Sequence, residues 1–226
     1  MSGAEWGSWG YWESRFESGD TPWELGAPSQ VVCEALEELK YLGFSLPGSR
    51  VLSPGCGRGS DAIECARRGA YVLAVDWSDR ALSTLDVLRK NDREHMKGEL
   101  RVFKADFFDL PPQPVDLICE HTFFCAIDPA KRPEYARRMA TWLASGGYLA
   151  GNFFVLPQAE VDARRGLSLS KDGSGPPFVS TEREIRTLFS PGFEILTLRP
   201  SSRPEPSRRP GLEWVGIFRR RASETD

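Results

Sequence analysis

The stretch that decides the fold runs from Arg50 to Asp76 and reads RVLSPGCGRGSDAIECARRGAYVLAVD. Residues 50–53 are a short, mostly apolar run that is typical of a buried strand, and the glycine-rich segment 55–59 follows it as a tight turn. Apolar residues at helical spacing from Ser60 onward predict a helix, and the next apolar run predicts a second strand that ends at Asp76. The stretch therefore predicts a strand, a turn, a helix and a strand in succession, with a carboxylate at the carboxyl end of the second strand.

The glycine turn and Asp76 together indicate a nucleoside site. A carboxylate at the end of the second strand can accept hydrogen bonds from both hydroxyls of a ribose. The glycines have the spacing G-x-G-x-G, whereas a dinucleotide fold uses G-x-G-x-x-G, so the spacing opposes a nicotinamide-dependent oxidoreductase. With Asp76 placed 17 residues after Gly59, the pattern resembles the S-adenosylmethionine-dependent methyltransferases of the doubly wound class.

Length and charge limit the kinds of partner. At 226 residues the chain suits one domain with a sizeable core, and we expect residues 1–226 to form a single domain. The formal net charge of -3 provides no basic field for nucleic acid or for an anionic membrane. We therefore expect a small-molecule methyl acceptor as partner, no nucleic acid, no membrane association, and a monomer in preference to an oligomer.

The cysteines and histidines indicate a reducing compartment and no bound metal. The five cysteines form an odd set without the spacing of a metal site, which favours reduced thiols and a cytoplasmic protein. The two histidines, His95 and His121, are too few for a histidine metal cluster. No apolar run reaches the roughly 18 residues of a membrane helix, and the first residues lack the apolar core of a signal peptide.

The rest of the chain continues the alternation of strands and helices. Further strands are predicted at 100–104, 115–119, 148–155, 193–198 and 213–219. Helices are predicted at 31–42, 79–93, 129–146 and 181–189. The third of these helices begins at Asp128-Pro129 and ends at Gly146-Gly147. The pattern predicts a doubly wound α/β fold of the Rossmann type, with a mostly parallel, seven-stranded sheet and an antiparallel last strand.

The first 30 residues are unusually rich in aromatic side chains: Trp6, Trp9, Tyr11, Trp12, Phe16 and Trp23. Because so many rings are costly to leave in water, the segment should pack on the rest of the protein. We expect residues 1–47 to form an aromatic arm and a helix that act as a lid, and residues 48–221 to form the Rossmann-like core. A desolvated aromatic face attracts a cation by about 1–2 kcal/mol, which suits a sulfonium cofactor.

Three segments resemble one known family. They are residues 12–26 (WESRFESGDTPWELG), the turn 53–57 (SPGCG) with Asp61 after it, and residues 123–129 (FFCAIDP). In this order they resemble the thiopurine S-methyltransferase family, and they are most similar to its branch of thiol and halide methyltransferases. The resemblance covers most of the chain. It implies a class I methyltransferase fold, S-adenosylmethionine as the methyl donor and S-adenosylhomocysteine as the product.

The resemblance also implies the residues of the site. The cofactor-binding residues that it implies are Trp12, Trp23, Gly55, Gly57, Asp61, Asp76, Trp77, Asp106, Phe107 and Glu120. The acceptor-binding residues that it implies are His121, Phe123 and Phe124. His121 lies where the thiopurine enzymes carry an arginine and the plant thiol enzymes a tyrosine. As the catalytic candidate it either takes a proton from the acceptor or only orients it, because the reference pKa of histidine is about 6.5.

The methyl acceptor is predicted to be a small, soft nucleophile. The aromatic pair Phe123-Phe124 and the absence of the arginine favour a thiol or sulfide, such as methanethiol or hydrosulfide. Halides, thiopurines and metalloid oxyanions are alternatives within the family, and a catalytically silent module that binds S-adenosylmethionine is an alternative of another class. The polar segment 157–175 is predicted to be a substrate lid, and segment 199–210 a flexible loop.

Overall fold

A seven-stranded sheet runs through the computed structural model, which describes residues 5–164, 166–170, 173, 175–205 and 211–222. Its strands are β1 (Arg50–Pro54), β2 (Tyr71–Asp76), β3 (Glu99–Lys104), β4 (Val115–His121), β5 (Leu143–Phe154), β6 (Phe193–Pro200) and β7 (Glu213–Arg220). They lie in the order β3-β2-β1-β4-β5-β7-β6, and β7 is antiparallel to both of its neighbours while the other pairs are parallel. The predicted doubly wound sheet with an antiparallel last strand is confirmed.

Helices cover both faces of this sheet. They are α1 (Trp9–Ser18), α2 (Gln30–Tyr41), α3 (Ser60–Arg67), α4 (Asp79–Asn91), α5 (Arg132–Trp142), α6 (Gln158–Arg164) and α7 (Glu182–Phe189). Buried residues of α2, α3 and α4 pack on one face, and buried residues of α5 and α7 pack on the other. Within the described residues, none of the helices has the length and apolar character needed to span a membrane.

The strands bury both of their faces because successive side chains point in opposite directions. In β1, Val51 belongs to the core beneath α2 and α3, and Leu52 belongs to the core beneath α5 and α7. In β4, Leu117 and Ile118 divide in the same way. Strands that are buried on both faces read as continuous apolar runs, which is why the sequence reveals them.

The aromatic arm contains a helix, α1, that the sequence analysis did not predict. Ser8 caps it by accepting a hydrogen bond from the backbone N–H of Tyr11, and Gly19 ends it in the left-handed conformation at a φ of 74°. These two end signals are present in the sequence. However, Phe16 is the buried residue of α1, so the helix lacks the apolar stripe by which a sequence pattern is recognised.

The helix predicted to end at Gly146-Gly147 ends at Trp142 instead, so that part of the prediction is wrong. Leu143 has an extended backbone, with φ of -83° and ψ of 139°, and it pairs with Val115 of β4. Trp142 and Leu143 are each 1% exposed, so both fill the core where helix gives way to strand. The pairing of Leu143 with β4 therefore replaces the helix before the glycines are reached.

The structure describes parts of two segments that were expected to be irregular. Segment 157–175 contains α6, and its residues 165, 171, 172 and 174 lie outside the described residues. In segment 199–210, Arg199 and Ser202 donate hydrogen bonds to the Glu34 carboxylate of α2, at 2.8 and 2.9 Å. Residues 206–210 lie outside the described residues. The first part of this loop is therefore attached to α2.

Candidate active site

A cavity of about 300 Å³ lies at the edge of the sheet where the parallel strands β1 to β4 end. Its walls come from α1 and the loop after it, from the turns that follow β1, β2, β3 and β4, and from the segment 176–177. Ligands of doubly wound sheets bind outside the carboxyl ends of the strands. The cavity therefore occupies the position at which a ligand is expected.

The glycine turn after β1 has no room for side chains. Gly55 and Gly57 have φ values of 56° and 54°, in the left-handed region that favours glycine. A Cβ atom on Gly55 would lie 2.3 Å from a ring carbon of Phe123, and one on Gly57 would lie 2.5 Å from Oε1 of Glu24. Because both glycines line the cavity, bare backbone forms this part of its wall.

Asp76, at the end of β2, holds the glycine turn in place. Its Oδ2 accepts a hydrogen bond from the backbone N–H of Gly57 at 2.9 Å, and its Oδ1 accepts one from Ser78 at 2.9 Å. Burial raises the pKa of the Asp76 carboxyl group, and the backbone N–H groups of Ser78 and Gly57 oppose that shift. The cavity wall therefore contains a buried carboxylate beside the glycine turn.

The aromatic arm covers one side of the cavity. Trp12 and Trp23 line the cavity and meet edge to face, with their ring centroids 5.4 Å apart. The indole N–H of Trp9 donates a hydrogen bond to the backbone carbonyl of Trp77 at 3.0 Å, which attaches α1 to the turn after β2. The arm therefore packs on the body of the protein, as the density of aromatic residues predicts.

A second group of rings lines the cavity after β3. The ring centroid of Phe107 lies 5.7 Å from those of both Phe108 and Phe123. Asp106 accepts a hydrogen bond from the backbone N–H of Phe108 at 2.9 Å, and this bond begins the short 3-10 helix 107–109. All four residues line the cavity. A flat aromatic ligand can pack against rings arranged in this way.

A smaller, polar cavity of about 30 Å³ adjoins the same glycine turn. Asp61 of α3 and His121 of β4 line it, and Oδ2 of Asp61 lies 2.7 Å from Nδ1 of His121. The other oxygen of Asp61 accepts a hydrogen bond from the backbone N–H of Ser29 at 2.8 Å. Asp61 therefore holds the His121 ring at the smaller cavity, and neither residue lines the larger one.

Glu120 determines the path of the chain after β4. One of its carboxylate oxygens accepts hydrogen bonds from the backbone N–H groups of Phe123 and Phe124, at 2.8 and 2.9 Å, and the other accepts one from the Tyr135 hydroxyl. Glu120 is 0% exposed, and burial raises the pKa of its carboxyl group. Within this turn Thr122 has a φ of 61°, which is rare for a β-branched residue. The turn that places Phe123 at the cavity therefore depends on a buried carboxylate.

Comparison with known families identifies the group to which this arrangement belongs. The family model of thiopurine S-methyltransferase (TPMT) matches residues 8–219. The chain belongs to the thiopurine S-methyltransferase family. The match extends from the aromatic arm to the last strand of the sheet, and it confirms the resemblance carried by the three sequence segments. The protein is an S-adenosylmethionine-dependent S-methyltransferase.

Two relatives and one solved structure illustrate the similarity. This methyltransferase is 32% identical to "Probable thiol methyltransferase 2" of Arabidopsis thaliana and 30% identical to "Thiocyanate methyltransferase 1" of Brassica oleracea, in each case over 93% of this chain and 85% of the relative. The crystal structure of Burkholderia thailandensis 1,6-didemethyltoxoflavin-N1-methyltransferase, with bound 1,6-didemethyltoxoflavin and S-adenosylhomocysteine, is similar with a TM-score of 0.71 at 19% identity, over 92% of this chain and 85% of that one. This last likeness supports the fold alone.

The residues around the larger cavity fit S-adenosylmethionine. This methyl donor is a sulfonium cation that carries an adenosine at one end and an amino acid at the other. The bare backbone of Gly55 and Gly57 allows close approach of a ligand, and the Asp76 carboxylate can accept hydrogen bonds from ribose hydroxyls. The aromatic walls suit both a flat adenine ring and a sulfonium. The residues that line the larger cavity therefore agree with S-adenosylmethionine as the cofactor.

Most of the predicted site residues meet at the two cavities. The larger cavity is lined by Trp12, Trp23, Gly55, Gly57, Asp76, Trp77, Asp106, Phe107 and Phe123. The smaller cavity is lined by Asp61 and His121, together with Trp23, Gly55 and Gly57. Glu120 and Phe124 line neither cavity. Glu120 binds the turn that follows it, and Phe124 is 2% exposed, with its ring centroid 5.1 Å from that of Tyr135.

Sequence reasoning missed several residues that line the cavities: Glu24, Phe108, Cys125, Phe154, Pro176 and Pro177. Glu24 and Cys125 lie inside the segments that carry the family resemblance, and Phe108 follows the predicted Phe107, so closeness to a motif was an available signal. Pro176 and Pro177 lie in the Gly-x-Pro-aromatic segment 175–178, which resembles a pattern of the same family, so they had such a signal too. Phe154 had none, and it reaches the cavity through the pairing of β5 in the sheet.

Proposed function

We propose that this enzyme transfers the methyl group of S-adenosylmethionine to a small sulfur nucleophile, either hydrosulfide or a small thiol such as methanethiol. The observation that carries the proposal is the size of the larger cavity. Its volume of about 300 Å³ lies at the lower end of the range of roughly 300–1,000 Å³ that is usual for small-molecule sites. Because a donor as large as S-adenosylmethionine fills most of that volume, the remaining space suits an acceptor of only a few atoms.

The order of the strands supports a place for the acceptor. Asp76 and Asp106 follow β2 and β3 at one end of the sheet, so we assign the adenosine of the donor to that end. Towards β4 and β5 the cavity is lined by Cys125, Phe154 and Pro177. We assign the acceptor to this apolar end. A polarisable sulfur atom makes favourable contacts with an aromatic ring such as that of Phe154.

The walls of the cavity explain how methyl transfer is promoted. S-adenosylmethionine would supply a methyl group on a sulfonium, and the acceptor sulfur would form its new S–C bond as the sulfonium S–C bond breaks, which releases S-adenosylhomocysteine. Hydrosulfide then gives methanethiol, and methanethiol, which loses its proton to water, gives dimethyl sulfide. Holding two reactants in attack geometry contributes about 7–11 kcal/mol. Trp12, Trp23 and Phe123 form aromatic walls of this space. Where such walls displace water, the attraction between an anionic acceptor and the cation is stronger. The protein therefore acts mainly by alignment and desolvation.

We propose that His121 orients the site and does not take a proton from the acceptor. Asp61 holds its ring at the smaller cavity, with the two atoms 2.7 Å apart. Thr122 lines both cavities, so a change at His121 reaches the larger cavity through the next residue of the backbone. Because hydrosulfide is already largely anionic near neutral pH, a general base contributes little to its methylation.

Thiocyanate is the second candidate acceptor. A relative of 30% identity bears the name "Thiocyanate methyltransferase 1". Thiocyanate is a small sulfur nucleophile that is anionic at every physiological pH, so the same cavity suits it and no proton acceptor is required. Halide ions share its charge and size but lack the sulfur atom, and they serve as the contrasting acceptors in the test below.

We also propose that the enzyme acts as a monomer in the cytoplasm, as one domain in which residues 1–47 cover a catalytic core of residues 48–221. The hydrogen bond from Trp9 to Trp77 supports the covering role of the arm, because it joins the arm to the turn beside Asp76. None of the five cysteines, all of which lie in the described part of the chain, forms a disulfide. Reduced thiols are typical of proteins of the cytoplasm.

Headspace gas chromatography tests the acceptor directly. Purified enzyme is incubated with S-adenosylmethionine and, in separate vials, sulfide, methanethiol, thiocyanate or iodide. We expect methanethiol and dimethyl sulfide from the first two acceptors at higher rates than any other product. Asp76→Ala should lose this activity, and Arg101→Gln, a surface change on β3, should retain it. Product from thiocyanate or iodide alone, or no product from an enzyme that still binds S-adenosylhomocysteine, would contradict the proposal.

A further inference from the structure

Arg132, the first residue of α5, is 0% exposed, and its guanidinium binds a loop that is distant in sequence. Nη1 donates hydrogen bonds to the backbone carbonyl of Val179 at 3.2 Å and to the carboxylate of Glu184 at 2.8 Å. Nη2 donates one to the backbone carbonyl of Phe178 at 3.0 Å. A buried charge is costly unless it is paired and hydrogen-bonded, and these bonds meet that requirement. The arginine therefore binds two consecutive carbonyls of the loop 176–180.

The loop 176–180 forms part of the wall of the larger cavity. Its first two residues are prolines that line the cavity, and they directly precede the two residues whose carbonyls Arg132 binds. The backbone N–H of Phe178 donates a hydrogen bond to the backbone carbonyl of Cys125 at 2.7 Å. Cys125 lines the cavity as well. The loop is therefore bound both to the cavity wall after β4 and to the buried arginine.

The same loop is in contact with the aromatic arm. The ring centroids of Trp6 and Phe178 lie 5.1 Å apart, and the two rings meet edge to face. Trp6 itself lines the larger cavity. A Cβ atom on Gly175 would lie 3.8 Å from Cβ of Trp6, so the backbone before the two prolines also comes close to this tryptophan. The loop therefore supports the arm at a place where the arm reaches the cavity.

A guanidinium fixes the orientation of its partners as well as their distance. Its N–H donors lie in one plane and in fixed directions, whereas the ammonium of a lysine is a compact point charge. The carbonyls that Arg132 binds follow directly on the prolines of the wall, so a shift of the guanidinium displaces that wall. A misplacement of about 1 Å caused far from the chemistry can lower a rate by about 100-fold. The geometry of this wall therefore depends on a side chain outside the site.

The proposed function places the acceptor beside Cys125, Phe154 and Pro177. On the basis of that function, we propose that Arg132 is a positioning residue for the acceptor, which holds the loop 176–180 at that end of the cavity. Arg132 is not among the described residues that line either cavity, so it acts through the backbone of the loop. Its replacement should therefore affect the acceptor and leave binding of the methyl donor almost unchanged.

Hydrogen exchange measured by mass spectrometry tests the hold on the loop without any turnover. The backbone N–H groups of residues 178, 179 and 180 donate hydrogen bonds of 2.7, 2.8 and 2.9 Å, so their exchange reports opening of the loop. In the native protein we expect them to exchange as slowly as the core strands β1 and β4, and exchange as fast as in exposed segments would overturn the proposal. Arg132→Lys should raise these rates about tenfold and those of β1 and β4 by less than about twofold. No change at residues 178–180, or an equal rise throughout the protein, would also overturn it.

Steady-state kinetics and calorimetry test the consequence for the acceptor. In Arg132→Lys we expect the KM for the sulfur acceptor to rise about tenfold, while the Kd for S-adenosylhomocysteine changes by less than about twofold. A native KM in this variant would overturn the proposal. Arg137→Lys, exposed on the same helix, is the matched control and should keep both native values.

Glu184→Gln separates the hold on the loop from a general effect on stability. It removes the charge that pairs with Arg132 and leaves both carbonyls of the loop bound, so it should lower the urea midpoint and keep the native KM. An equal rise in KM in Glu184→Gln and Arg132→Lys would overturn the proposal. A native enzyme that methylates none of the sulfur acceptors would contradict the proposed function, whereas the exchange rates of residues 178–180 judge the role of Arg132 in either case.

Discussion

Tyr135 of α5 donates a hydrogen bond to the carboxylate of Glu120 at the end of β4, and both residues are 0% exposed. The same carboxylate accepts two backbone hydrogen bonds from Phe123 and Phe124. A carboxylate buried this deeply is costly unless donors surround it. The pair therefore joins a core helix to the turn that forms part of the cavity wall. Loss of the Tyr135 hydroxyl in the core should alter the position of that turn in the site.

Tyr135→Phe should lower the free energy of unfolding by about 1–3 kcal/mol, because Glu120 loses a donor and stays buried. Loosening of the turn should raise the KM for the acceptor more than the Kd for S-adenosylhomocysteine. Urea unfolding, steady-state kinetics and calorimetry measure these three quantities. Tyr41→Phe is the control, since Tyr41 is 90% exposed. Similar behaviour of the two variants would remove the assigned role from Tyr135.

Gly55→Ala and Gly43→Ala separate backbone strain from loss of space in the turn. Both glycines have positive φ values, 56° and 87°, so alanine costs about 1–2 kcal/mol at either position. At Gly55 the new Cβ would also meet the Phe123 ring at 2.3 Å, whereas nothing in the described part of the chain lies within 4 Å at Gly43. We expect Gly55→Ala alone to weaken S-adenosylhomocysteine binding, by about tenfold or more in calorimetry. Equal binding by both variants would contradict a close approach of the ligand at Gly55.

Phe154→Leu should widen the acceptor end of the cavity. Phe154 is 3% exposed and ends β5 at the cavity wall. The space gained when leucine replaces phenylalanine in an apolar pocket changes the preference between a large and a small acceptor by about tenfold. The kcat/KM for thiophenol should therefore rise relative to that for methanethiol. Chromatography of the products from the two acceptors in competition gives the ratio. Phe103→Leu, at a 49% exposed position of β3, serves as the control, and an unchanged ratio in Phe154→Leu would place the acceptor elsewhere.

Stability should fall in acid through Glu34 of α2. Burial alone would raise the pKa of its carboxyl group, but hydrogen bonds from Ser201, Arg199 and Ser202 outweigh burial and lower the pKa from 4.5 to about 2. Because the pKa is lower in the folded state, the stabilisation is fully present above pH 4.5 and is lost as the pH falls towards 2. It amounts to about 2 kcal/mol, after allowance for solvent around the partly exposed Arg199.

Urea unfolding of Glu34→Gln at a series of pH values measures this contribution. The variant should be less stable than the native protein near neutral pH, and the difference should shrink between roughly pH 5 and pH 2. Glu17→Gln, exposed on α1, should keep the native pH dependence. A constant difference between Glu34→Gln and the native protein at every pH would show that the loop after β6 is held to α2 by something other than this carboxylate.

The parts of the molecule that the sequence predicted are those with a local signature. The strands are recognisable because both faces are buried, as with Val51 and Leu52. The glycine turn and Asp76 are recognisable because a bend without side chains and a carboxylate at a strand end leave a fixed spacing. The family resemblance added residues of the arm and of the turn after β4, which no periodicity indicates.

The parts that it did not predict depend on contacts between distant positions. Asp61 and His121 were each expected in the site, yet their pairing at 2.7 Å exists only because α3 and β4 are brought together by the sheet. Glu120 was expected to bind the cofactor because of the family resemblance, and the structure instead directs its carboxylate into the core towards Tyr135. Which way a side chain points at a strand end is decided by its surroundings and not by its position in a motif.

The tryptophans of the larger cavity have a practical consequence for kinetics. Four of the seven in the chain line it: Trp6, Trp12, Trp23 and Trp77. An indole changes its emission when a nucleobase or a cation replaces water at its face. The enzyme thus carries an intrinsic optical reporter, and rapid mixing with fluorescence detection can follow arrival of the methyl donor and departure of the spent product without any attached dye.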